Sequence, residues 1–152
     1  MNTVNYKTCI EIPHQQAWQL LKDLSVPQNY VPGVTRTEIT TELTEGIGAS
    51  RLVFLLGFIP MRETVSAWQD GRGFSIQLGL KNSPLPFPLR RAFFHYDIEP
   101  LASDTVISNS LDFQFNWSWL DKTIGVISKP IVKIILWKIT SNMRQFYLQS
   151  QA

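Results

Sequence analysis

Pro130-Ile131-Val132-Lys133-Ile134-Ile135-Leu136-Trp137-Lys138-Ile139-Thr140-Ser141-Asn142-Met143-Arg144-Gln145-Phe146-Tyr147 is where the chain leaves a long run of strand-like alternation and takes up a helical period. Val132, Ile135, Leu136, Ile139, Met143, Phe146 and Tyr147 recur at the spacings that put side chains on one helical stripe, and Pro130 suits the first turn. Ile134, Trp137 and Leu148 form a minor strip off that stripe, expected either to meet a second copy or to lie under the segment before Pro130. A long helix with one apolar stripe needs an apolar surface to cover.

The residues upstream supply that surface. Val4, Tyr6, Thr8, Ile10 and Ile12 alternate with polar neighbours as in a half-buried strand, which Pro13 stops. Ala17, Trp18, Leu20 and Leu21 follow at helical spacing, and Pro27 and Pro32-Gly33 bracket a second short helix or turn. Thr35 to Leu43 is Thr-rich, like an edge strand. Ala49 to Leu56 and Met61 to Trp68 flank Gly57 and read as a hairpin. Three further rows alternate: Phe74-Ile76-Leu78-Leu80, Phe94-Tyr96-Ile98 and Ile107-Asn109-Leu111-Phe113-Phe115. The expected fold is α+β, ordered β-α-α-β6-α: a curved antiparallel sheet of about seven strands wrapped on the C-terminal helix, in a single domain spanning 1–152.

Composition narrows the function. The chain has 152 residues, of which only 17% are charged and 12% are aromatic, against roughly 25% charged in an average soluble chain. A net charge of +2 argues against a nucleic-acid partner, which needs a concentrated basic face. One Cys allows no internal disulfide, and with two His a closed zinc site is not expected, so neither metal nor cofactor is predicted. The opening Met1-Asn2-Thr3-Val4 lacks the basic and apolar regions of a secretory signal, and Ile124 to Ile139 is interrupted by Lys129, Pro130, Lys133 and Lys138, which disfavours a membrane span. A cytoplasmic protein, peripheral to a membrane at most, is expected.

Ile12-Pro13, Ala17-Trp18-Gln19-Leu20-Leu21-Lys22-Asp23, Tyr30-Val31-Pro32-Gly33-Val34, Gly46-Ile47-Gly48-Ala49-Ser50-Arg51, Glu63-Thr64-Val65 and Phe146-Tyr147-Leu148 together give the sequence its family character. In these words the chain resembles the START-like, or polyketide cyclase/dehydrase (SRPBCC), superfamily, whose structural relatives include the major birch-pollen allergen. The resemblance implies a helix-grip fold around a hydrophobic cavity that takes lipids, quinones, hormones or polyketides; only some members are enzymes.

The residues themselves suggest where chemistry would sit. In a hairpin centred on Gly57, Arg51 faces Glu63 and Val53 faces Met61, with Ala49 and Leu55 on the Arg51 row and Val65 and Ala67 on the Glu63 row. The charged pair is either a structural ion pair or an anchor for a ligand carboxylate or carbonyl, with Glu63 orienting it or acting as base. Asn109 interrupts an apolar row, and Tyr6 and Tyr96 bring hydroxyls to others. Tyr6, Arg51, Glu63, Phe74, Ile76, Tyr96, Asn109, Phe113 and Met143 are therefore the expected ligand-binding residues.

His14 and His95 read as surface or capping residues, and Cys9 as an inert outward thiol. No nucleophile-His-acid spacing, HExxH or phosphate-binding loop occurs in the sequence.

Loop parity adds a surface. The apolar connections around Phe58 and Ile59, Phe87 and Leu89, and Trp117 and Trp119 all fall at one end of a meander, beside Arg62, Arg90, Arg91 and Lys122. They either pack on one another or touch a membrane or partner protein. Three readings follow: a binding or transfer protein for a hydrophobic small molecule, an aromatase/cyclase-like enzyme using Arg51, Glu63 or a Tyr, or a protein-interaction module.

Overall fold

The computed structural model describes residues 1–80 and 88–151. Strand β1 (Asn2–Ile10) leads through Pro13 into helix α1 (His14–Leu21), whose buried face is Ala17, Trp18 and Leu21. A 3-10 turn, Pro27–Asn29, precedes β2 (Val34–Ile39), β3 (Ser50–Leu55), β4 (Ile59–Gln69), β5 (Gly73–Leu78), β6 (Leu89–Leu101) and β7 (Asp104–Phe115). All seven strands form one antiparallel sheet in the order β1-β7-β6-β5-β4-β3-β2. The expected helix-grip fold is thus observed.

The hairpin register is the expected one: Arg51 pairs with Glu63 and Val53 with Met61. The alternation does not continue to the end of β4. A bulge between Val65 and Ala67 turns Ala67 outward and brings Trp68, not Ala67, onto the inner face, where it pairs with Phe74.

The C-terminal helix starts earlier than the stripe predicts. A single turn, α2 (Ser118–Leu120), passes through a π-helical turn, Asp121–Gly125, into α3 (Val126–Gln149) without leaving helical backbone. Pro130 is therefore inside a helix rather than in its first turn, and it leaves the Val126 carbonyl without an i+4 partner. Asp121 fixes the early start: its carboxylate accepts the Phe115 backbone N–H at 2.8 Å and the Asn2 amide at 3.2 Å.

The buried stripe of α3 is Leu136, Ile139, Thr140, Met143 and Tyr147, lying mainly against β1 and β7. Ile135, expected on that stripe, is 49% exposed. The interior divides in two. Trp18, Tyr30, Phe74, Ile76, Tyr96, Met143 and Tyr147 belong to a large cluster, whereas Val4, Phe113, Phe115, Leu120 and Leu136 form a smaller one.

The apolar end of the sheet carries visible strain. Leu56, at the tip of the β3–β4 hairpin, has φ 52° and is 69% exposed, so an apolar side chain occupies a left-handed position on the surface. Leu56→Gly is expected to raise the unfolding free energy by about 1 kcal/mol. The urea midpoint checks it.

Candidate functional site

Burial dictates the behaviour of the Arg51 pair. Arg51 is 2% exposed; its Nε donates to Glu63 Oε2 at 2.7 Å and its Nη1 donates to the Leu24 carbonyl at 2.8 Å. Burial alone would pull the guanidinium's pKa down, but the facing Glu63 carboxylate reverses this and the net direction is upward. The Leu24 bond ties the segment after α1 to β3.

Beside the pair stand the buried Tyr30 and Tyr96, and Tyr147 is buried next to those two. The Tyr30 and Tyr96 rings are 6.4 Å apart, and Tyr96 continues into an aromatic row through Phe74 at 5.1 Å and Phe94 at 4.5 Å. Burial pushes the phenols of Tyr30, Tyr96 and Tyr147 upward; Arg51 partly opposes this for the first two. All three are neutral donors at neutral pH. Across the strands, Tyr6, Asn109 and Tyr96 lie side by side.

Asn109 Nδ2 donates to Thr140 Oγ1 at 2.9 Å and reaches Met143 Sδ at 3.2 Å, locking β7 to α3. The Asn109 Oδ1 and the Tyr147 hydroxyl, both fully buried, have no hydrogen-bond partner among the described residues. Each such orphan costs about 1–3 kcal/mol. Tyr147 lies one helical turn beyond Met143, on the same stripe as the Asn109 contact.

The expected lining residues are thus only partly gathered. Phe74, Ile76, Tyr96 and Met143 share the large cluster, and Glu63, 13% exposed at its side chain, sits at that cluster's margin with Arg51. Phe113 and the half-buried Tyr6 belong with the smaller cluster. Tyr30 and Tyr147 went unforeseen as site residues, although both stand in the words that carry the family resemblance. At the apolar end, Phe58, Trp117 and Trp119 are 75%, 55% and 62% exposed, while Ile59 and Leu89 are half-buried. Phe87 lies outside the described residues.

One arrangement on the outer face had no signature in the sequence. Ser75 Oγ lies 2.6 Å from His95 Nδ1, and His95 Nε2 lies 2.9 Å from Asp112 Oδ2; the other oxygen of Asp112 accepts from Thr3 at 2.7 Å. Four strands are thereby laced by side chains. The order matches a nucleophilic relay, but β5 is paired on both sides, which commits the backbone donors an oxyanion would need. The relay is accordingly read as a cross-strand ladder, and His95 is a networked residue rather than a bare surface one.

A curved antiparallel sheet gripping a long helix, with polar groups sealed between them, defines the helix-grip class. Residues 1–141 match the family described as polyketide cyclase / dehydrase and lipid transport, and the chain belongs to that family. No curated protein sequence matches the chain. Among solved structures, XoxI of Bacillus cereus is similar with a TM-score of 0.75 at 14% identity, over 100% of this chain and 99% of that one. The protein Ara h 8.0201 gives 0.68 at 13% identity, with 97% of each chain covered. A point mutant of norcoclaurine synthase from Thalictrum flavum, in complex with a transition-state analogue, gives 0.67 at 12% identity, over 99% of this chain and 96% of that one. At these identities the likeness is one of fold.

Two outcomes follow. Glu63→Gln should cost about 3 kcal/mol by stranding the Arg51 charge, and the Arg51→Met, Glu63→Leu double variant should recover most of that in urea unfolding. The raised tyrosine pKa values stabilise the folded chain fully below their ordinary value of 10.0 and lose that contribution as pH climbs beyond it, because the unfolded chain ionises first. Tyr147→Phe should therefore make the alkaline fall in urea midpoint shallower, while leaving the neutral-pH midpoint unchanged or higher.

Proposed function

We propose that the protein binds a hydrophobic small molecule between the sheet and α3, as a carrier or transfer protein. The observation that carries this reading is two buried atoms between the sheet and α3 without partners among the described residues, Asn109 Oδ1 and the Tyr147 hydroxyl; the third such atom, His14 Nε2, lies on α1. An amide oxygen asks for a donor and a phenol can donate to an acceptor, so the fitting ligand is an apolar body with a hydroxyl or carbonyl at one end. Membership of a family described by polyketide cyclisation and lipid transport supports the same class of ligand.

Of the expected ligand-binding residues, Tyr96, Asn109, Met143, Phe74 and Ile76 would contact it, joined by Tyr147. Arg51 and Glu63 act here as the wall that holds the fold. The cyclase-like alternative is less supported, since the carboxylate of Glu63 is already engaged by Arg51 at 2.7 Å and a paired carboxylate is a poor base.

Native mass spectrometry of protein purified without detergent is expected to show a bound apolar species. Asn109→Leu combined with Tyr147→Phe should weaken its affinity about thirty-fold, two neutral hydrogen bonds' worth at ~1 kcal/mol each. A polypeptide mass alone, together with no displacement of a fluorescent fatty-acid probe, would refute the carrier reading.

A further inference from the structure

Helix α3 has a second apolar face, turned away from the sheet. Ile127, Ile131 and Ile134 are 72%, 61% and 63% exposed, with Ile124, Val126, Ile135 and Trp137 each between 45% and 52%. At 100° per residue the exposed apolar arc runs from Val126 round to Ile135, about half the circumference, opposite the buried Leu136 and Met143. Trp117 and Trp119 stand exposed at the start of the same helical run.

Charge is one-sided along the sequence, and around the helix Lys138 falls within the exposed arc and Lys133 at its edge, whereas Lys129 falls on the side of buried Leu136. Lys122, Lys129, Lys133, Lys138 and Arg144, five of the chain's 14 basic residues, follow Asp121, and none of its 12 acidic residues does. The remainder of the chain is net acidic although the whole is +2. Among the described residues, none of the four lysines is in an ion pair.

We propose that this outer face of α3 docks on an anionic lipid surface, with the helix lying in the plane between the bilayer and the sheet. The breadth of the arc favours a bilayer over a second helix, since a helix pair buries a narrow two-position seam. The lysines favour it over a second copy: a two-fold contact through this face would bring Lys133 and Lys138 toward their own duplicates, whereas anionic headgroups complement them. Exposed tryptophans at one end suit the headgroup level. Among the described residues no helix is long and apolar enough to cross a membrane, and the proposed contact is an interfacial one. The docking would place the ligand-binding interior one helix thickness from the bilayer. It deepens the carrier reading but is measured separately from ligand occupancy.

Vesicles of phosphatidylcholine containing a quarter phosphatidylserine, and vesicles of phosphatidylcholine alone, test it by co-sedimentation. The unaltered protein should bind the anionic vesicles, more weakly as salt rises. An Ile127→Ser, Ile131→Ser, Ile134→Ser variant should lose at least about ten-fold in binding, and Lys133→Glu with Lys138→Glu should abolish the preference for phosphatidylserine. Should the triple variant misfold by circular dichroism, brominated lipid provides the check on the unaltered chain: it should quench tryptophan emission. Absence of both sedimentation and quenching overturns the proposal. So does vesicle binding that the folded triple variant retains, or a dimer in gel filtration that the triple variant dissolves while neither form binds lipid.

Discussion

The width of the sheet is the constraint on which the rest depends. Seven strands leave six gaps of about 4.8 Å, so the sheet spans roughly 29 Å, while a helix with its side chains is about 10–12 Å across. One helix cannot cover seven strands. The buried stripe of α3 serves β1 and β7, and the remaining concave surface is filled by α1, the 3-10 turn and large rings. Trp18 edges against Trp68 at 5.3 Å, Trp68 stacks on Phe74 at 5.3 Å, and Tyr30 meets Phe146 at 6.3 Å. The clustering of large rings is thus the consequence of closing a broad sheet with few helices.

Rings large enough to fill that gap bring polar atoms with them. Tyrosine hydroxyls, an asparagine and an arginine all lie in the interior, and the molecule satisfies them unequally. Arg51 is met by a carboxylate and a carbonyl, and the Asn109 amide nitrogen by Thr140, whose hydroxyl itself donates to the Leu136 carbonyl at 2.7 Å. The groups that bridge separate elements are bonded. Among the described residues, Asn109 Oδ1, the Tyr147 hydroxyl and His14 Nε2 are left without partners, each at a cost of burial.

Most of the fold could be read from the sequence, because its signals are local. Gly57 centres the β3–β4 hairpin, and once that centre is known the Arg51–Glu63 register follows by counting. The misreadings have physical causes of the opposite kind. The bulge at Ser66 breaks parity without any glycine or proline to mark it, so Ala67 and Trp68 exchange faces. The helical run from Ser118 is polar through Asp121, Lys122 and Thr123, and depends on a carboxylate that bonds a residue six positions upstream and another at the opposite terminus. The Ser75–His95–Asp112 lacing joins three strands through direct and diagonal neighbours, which no linear spacing reveals. The candidate site is less legible than the fold for the same reason: Tyr147 and Asn109 look like ordinary core until their bonding is counted.

The exposure of Ile135 links these findings. A helix that served only to close the sheet would need one stripe, and polar residues elsewhere would improve solubility without loss. Here β-branched apolar residues of modest helix propensity occupy the solvent face of the first half of α3, whereas the second half, from Ser141 onward, exposes Gln145 and Gln149. The contrast lies within one continuous helix packed on one sheet, so packing alone does not require it. The apolar outer half begins at the end of the sheet where strained Leu56 and exposed Phe58 also stand. Left-handed backbone alone does not mark that end, since Ala102 in the β6–β7 turn at the opposite end has φ 53°; what sets it apart is that the exposed hydrocarbon continues from the hairpin tip onto a long helix face.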